Sequence, residues 1–113
     1  MKPATEHKAR IVRSSGNVFA DLVLSDADER QTKVRLAVTI NDVLDRRRLS
    51  QAEAARQLAV NQPKISALSK YKLEGFSVER LMRFLTSLDQ DVEIVIRSKP
   101  RTRRLARVVV TAA

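Results

Sequence analysis

Apolar and polar positions follow a helical period through the middle of the chain and a strand period near its end. Leu36, Ala37, Ile40, Val43 and Leu44 recur at spacings of three and four and form one apolar face. That helix opens at Ser25 or Asp26. Ser25 suits an N-cap, and Asp26, Asp28 and Glu29 place negative charge where the helix dipole favours it. The run "DRRR" (residues 45–48) closes it with cations. A second helix starts at Ser50, where Ser50-Gln51-Ala52-Glu53 spells a capping box, with Ala54, Ala55 and Leu58 on its buried side. A third is capped by Asn61 and carries Pro63 in its first turn, with Ile65 and Leu68 pointing inward. After a connection over residues 70–77, Ser77 caps a fourth, whose stripe is Val78, Leu81, Met82, Leu85 and Leu88.

Beyond Asp89 the period becomes two. In "DVEIVIR" (residues 91–97) Val92, Ile94 and Ile96 share one face, while Glu93, Val95 and Arg97 share the other. A lone strand needs a partner. It can pair with residues 107–112, "RVVVTA", or with its own copy in a second subunit. Residues 1–13 are polar and basic and read as a mobile arm. Residues 14–22 hold an apolar cluster, Val18, Phe19 and Leu22, that reads as a segment docked on its own domain, with a partner-binding segment as the alternative. The expected division is an N-terminal arm and docking segment over 1–24, a helical domain over 25–90, and a C-terminal strand and basic tail over 91–113. The fold class is mainly α, with four or five helices and a short C-terminal β-strand or hairpin.

Composition agrees with this picture and narrows the partners. The chain has 113 residues, 43% hydrophobic, with 2 Gly and 3 Pro, which suits one helix-rich domain with a modest core. Its formal net charge of +9 points to a polyanion partner, nucleic acid before an anionic membrane. The absence of Cys removes disulfide and thiol chemistry and fits a cytoplasmic location. Neither a signal-peptide core nor a stretch of about 20 apolar residues occurs, so a soluble protein with no membrane partner is expected.

The stretch "LSQAEAARQLAVNQPKISAL" (residues 49–68) carries the functional reading. Ala55 is small where the second and third helices approach, Ala59 fills a tight turn, and Leu58, Val60, Ile65 and Leu68 face a shared core. Glu53, Arg56 and Gln57 on one helix, and Gln62, Lys64, Ser66 and Ala67 on the next, are left outside. Two helices joined so abruptly form a helix-turn-helix, whose second helix can enter a DNA major groove. Gln62 can bond an adenine edge, Ser66 several base edges, and the Ala67 methyl a thymine methyl. Lys64 and Lys70 can neutralise phosphates, or Lys64 can reach guanine. Gln51 can hold a phosphate beside backbone N–H groups at its helix start. Residues 60–72 contain no carboxylate to repel the backbone. The expected DNA-binding set is thus Gln51, Asn61, Gln62, Pro63, Lys64, Ser66, Ala67 and Lys70.

These residues resemble the helix-turn-helix of Xre/Cro-type regulators. The longer pattern, "SSGNVFADL", "SQAEAARQL", "NQPKISAL" and "YKLEGFSVERLMRFLTSLDQDVEIVI" with a basic tail, is similar to the HigA-like antitoxins of type II toxin–antitoxin operons. The resemblance covers residues 14–97. It implies a Cro/repressor-like domain, a homodimer on an inverted-repeat operator in double-stranded DNA, repression of its own promoter, and a RelE/HigB-like ribonuclease toxin as partner. Two positions depart from the pattern. Ala59 stands where many relatives carry Gly, which requires either a turn outside the left-handed region or modest strain. Ser69 stands where a larger polar residue is common.

Other chemistry is thin. His7 is the sole His and falls in the expected arm, so neither a metal cluster nor a positioned base is indicated. Asp89, Asp91 and Glu93 lack the glycine of a calcium loop and lead into a strand. No Gly-rich phosphate loop occurs. No cofactor, no metal and no enzymatic activity are expected. Lys99, Arg101, Arg103, Arg104 and Arg107 form a basic segment that reads as a solvated linker, a minor-groove or phosphate arm, or a contact to an acidic toxin or ribosomal RNA.

Overall fold

The computed structural model describes residues 9–13 and 26–112. In chain order these form β1 (Ala9–Arg13), α1 (Asp26–Arg46), α2 (Gln51–Leu58), α3 (Gln62–Ser69), α4 (Val78–Ser87) and β2 (Glu93–Arg97). The mainly helical class is as expected, with four helices among the described residues. None of them is long and apolar enough to cross a membrane. Ser25, His7 and the Val18, Phe19, Leu22 cluster lie outside the described residues.

The apolar faces close one core. Leu36, Ala37, Ile40, Val43 and Leu44 of α1 meet Ala54, Ala55 and Leu58 of α2, Ile65 and Leu68 of α3, and Val78, Leu81, Met82, Phe84 and Leu85 of α4. Ile40, Leu68, Leu81 and Leu88 are the largest fully buried side chains. α1 packs along α4 and against α3, and α2 bridges α3 and α4. Two core members, Leu73 and Phe76, come from the connection between α3 and α4. Their isolated apolar positions show no period, so the sequence pattern did not reveal them.

The three predicted N-caps that fall on described residues all form. Ser50 Oγ accepts from the Glu53 N–H at 3.1 Å while Glu53 Oε1 accepts from the Ser50 N–H at 2.9 Å, a complete capping box. Asn61 Oδ1 accepts from the Lys64 N–H at 2.9 Å, and Ser77 Oγ from the Arg80 N–H at 3.0 Å.

Two expectations about the chain ends are corrected. Residues 9–13 are part of a sheet, not a loose arm, and β2 pairs with them instead of with residues 107–112. β1 and β2 run antiparallel, with Ile11 opposite Val95 and Arg13 opposite Glu93. β1 is five residues long, and only Ile11 and Val12 mark it as a strand, too few to show an alternation. Residues 107–112 form no strand. This segment instead returns to α1, where Val110 packs on the core and Arg35 Nη1 donates to the Val110 carbonyl at 3.4 Å.

All four helices end in the same backbone motif. Arg48, Ala59, Tyr71 and Asp89 each adopt a left-handed conformation just past a helix, with φ of 54°, 57°, 59° and 61°. The following N–H reaches back to a carbonyl five residues earlier, as from Val60 to Ala55 at 3.0 Å and from Lys72 to Ala67 at 2.9 Å. This is the Schellman arrangement, which usually recruits glycine. The turn of the helix-turn-helix therefore takes the strained option at Ala59. Ala59→Gly is expected to stabilise the fold by about 1 kcal/mol, since a side chain in this region costs roughly that much. Urea unfolding of the two proteins checks this, and an unchanged midpoint would contradict it.

Candidate nucleic-acid interface

The sequence of α3 makes an outward stripe inevitable once Ile65 and Leu68 are buried. At 3.6 residues per turn, Gln62, Ser66 and Lys70 align at intervals of four, with Pro63 and Ala67 beside them. Gln62, Pro63 and Lys70 are exposed, whereas Ser66 and Ala67 are half-buried. Ala67 packs against the edge of the core, so it presents less of its methyl group than the sequence suggests.

Asn61 sits at the N-cap and is exposed, but its Oδ1 is already engaged by the Lys64 N–H. Gln51 is exposed at the first position of α2. Lys64 departs most from expectation. It is half-buried, and its ammonium donates to the Gly75 carbonyl at 3.3 Å and lies 5.0 Å from the centre of the Phe76 ring. The predicted residues thus divide into an outward group on α3, a residue on α2, and a lysine turned toward the α3–α4 connection.

Other residues fix α3 in place. Asn41 Nδ2, from α1, donates to the Leu68 carbonyl at 3.1 Å, adding a second donor to the Tyr71 N–H at the C-terminal end of α3. Arg47 Nη2 donates to the Leu88 carbonyl at 2.6 Å, and Gln57 Nε2 to the Ser87 carbonyl at 3.4 Å, tying the end of α4 to α1 and α2. Sequence reasoning did not single out these residues for this role. Asn41 carried a signal, a polar residue directly beside Ile40 on the apolar face of α1.

The local charge is positive without competition. Lys70 and Lys72 are exposed, and no acidic residue lies between positions 60 and 72. In the basic tail Lys99, Arg101, Arg104 and Arg107 are exposed, while Arg103 folds back to donate to the Leu105 carbonyl at 3.3 Å.

Residues 18–97 match a family described as a helix-turn-helix domain. A solved structure of a protein described as an XRE family transcriptional regulator is similar to this chain at 68% identity. The match has a TM-score of 0.76 and covers 79% of this chain and 100% of that one. The chain belongs to the XRE-type helix-turn-helix family. Among curated proteins none matches it. In this XRE-type chain the matched region spans every helix described above, together with β2.

The caps generate two predictions. Asn61→Ala is expected to cost about 1 kcal/mol of stability and to speed exchange of the Lys64 amide, the donor that Asn61 satisfies. Hydrogen exchange by NMR checks it, and an unprotected Lys64 amide in the native protein would refute it. The second concerns pH. The Ser50 backbone N–H, then its side chain, hold the Glu53 carboxyl below its ordinary value of 4.5, with Arg56 adding a smaller pull. A carboxylate depressed on folding contributes stability above its unfolded pKa and loses it as the pH falls through its folded value. Glu53→Gln should therefore melt below the wild type at neutral pH, and the gap should narrow as the pH falls below 4.5. A gap independent of pH would show that the carboxylate charge plays no part.

Proposed function

We propose that this protein is a sequence-specific transcriptional repressor that reads an inverted-repeat operator as a homodimer, and that it is the antitoxin of a type II toxin–antitoxin operon acting in the cytoplasm. The observation that carries the operator reading is the row of Gln62 and Ser66 on α3 and Lys70 at its C-cap, which stays at the surface while Ile65 and Leu68 of the same helix are buried. Neutral side chains with donors and acceptors can discriminate base edges, and a cation beside them can hold a phosphate. Two copies would place their α3 helices about 34 Å apart, one turn of DNA. The XRE-type relative supports the regulatory class.

The toxin-binding part rests on a different surface. β2 pairs only with β1 among the described residues, and Ile96 is 51% and Val95 40% exposed. Exposed apolar residues on a two-stranded sheet are not needed for DNA contact and suit a protein partner. A RelE/HigB-like ribonuclease encoded beside this gene would be that partner. A stand-alone regulator of the same family would bind its operator and form no such complex.

Binding to the protein's own upstream DNA, measured against scrambled DNA across a salt series, tests the repressor reading. Gln62→Ala should lose roughly 1–3 kcal/mol of discrimination at one base pair of each half-site. Lys70→Ala should weaken all sequences alike and reduce the salt slope by about 0.9 per protomer. Wild-type binding that does not distinguish the two DNAs would defeat the operator assignment. Ile96→Glu should abolish complex formation with the neighbouring toxin while leaving operator binding intact. An unaltered complex would place the toxin surface elsewhere.

A further inference from the structure

We infer that Lys64 is a positioning residue: its ammonium latches the first turn of α3 to the α3–α4 connection and makes no phosphate or base contact. Its consequence for DNA rests on the operator reading above, whereas the latch is a property of the protein alone. Lys64 lies two residues after Gln62, about 200° around the helix axis, so it leaves α3 on a flank and not on the outward stripe. Its stem is half-buried, and its head has two partners at once, the Gly75 carbonyl at 3.3 Å and the face of Phe76 at 5.0 Å. Among the described residues no carboxylate forms an ion pair with it.

The receiving side is anchored. Phe76 is buried and meets Phe84 of α4 edge to face, with ring centres 6.0 Å apart, and the Arg80 guanidinium lies 5.7 Å from the Phe84 ring. The lysine therefore holds α3 to the core of α4 through a pair of rings. Gly75 supplies the room. A Cβ at this position would lie 2.9 Å from Lys64 Nζ, so a side chain there shifts the ammonium, the free end of a flexible chain, from its place. Reaching for phosphate would break the carbonyl bond, leave the ring face and expose the stem together. The segment held in this way includes Gln62, and the latch sets the angle at which that side chain meets DNA.

The test uses Lys64→Met, which keeps most of the stem and removes the charge, Gly75→Ala, which keeps every charge and displaces the ammonium, and the double variant. On the protein alone, both single variants should lower the melting temperature, and the double variant should fall no further than Lys64→Met. On operator DNA, Lys64→Met should weaken binding about fivefold with an unchanged salt slope. It should also blur the preference at the base pair that Gln62→Ala affects, and Gly75→Ala should reproduce the loss. Additive melting shifts, or a slope reduced by about 0.9 per protomer in Lys64→Met, would overturn the latch. If the wild type does not prefer its own upstream DNA, the operator reading fails, and the melting cycle alone decides whether the latch exists.

Discussion

An eight-residue helix cannot persist by itself in water, because the cost of nucleating it is never recovered over two turns. The proposed reading surface sits on such a helix, and everything about its geometry is borrowed. Burying Ile65 and Leu68 supplies roughly 1.5–3 kcal/mol each, and both belong to the one core that also takes Ile40 and Leu81. Small residues let the partner helix come close: Ala54 and Ala55 put no long side chain between α2 and its neighbours. Asn61 caps the start of α3, and Asn41 holds a carbonyl at its end. A stripe presented by this helix is thus as rigid as the core beneath it.

Helix ends do much of the cross-linking. The last carbonyls of a helix lack intrahelical donors and take them from outside it. Here Asn41, Arg47 and Gln57 supply those donors from other helices, so a local requirement becomes a tertiary tie. The left-handed residues at the same ends are strained, since none of the four is glycine. Leu49 and Val60, the residues just after Arg48 and Ala59, pack against the core, and their burial offsets that strain. Where the next residue is polar, as Lys72 after Tyr71 and Gln90 after Asp89, backbone bonds of 2.9 Å hold the turn without that help.

Local rules were legible in the sequence, and long-range partnerships were not. The helix faces around Leu36–Leu44 and Val78–Leu88, and the caps at Ser50, Asn61 and Ser77, follow from periodicity and from side chains that bond within three residues of themselves. β1 was hidden because its strand character depends on β2, whose paired residues lie 80 to 88 positions away, and not on its own five residues. Leu73 and Phe76 were hidden because a connection has no period to mark which residues turn inward. Lys64 was read as an outward cation because lysine usually is one. Only the placement of Gly75 and Phe76, fixed by the path between α3 and α4, shows that it has partners inside the protein.

That placement changes how charge and recognition divide. A net charge of +9 draws the protein to any nucleic acid and carries no information about sequence. If Lys64 projected from the first turn of α3, the end of the helix nearest the bases would share this indiscriminate attraction. With the ammonium turned aside, the outer face of that turn is neutral, formed by Gln62 and Pro63, and the exposed cations Lys70 and Lys72 lie at the other end. On the proposed reading, attraction and discrimination then come from different residues. An uncharged glutamine rewards only the base edge that matches its donor and acceptor, whereas a lysine in its place would reward any nearby phosphate. On the proposed reading, a small, strongly basic protein retains selectivity because the lysine two residues from Gln62 is occupied by its own backbone and a ring.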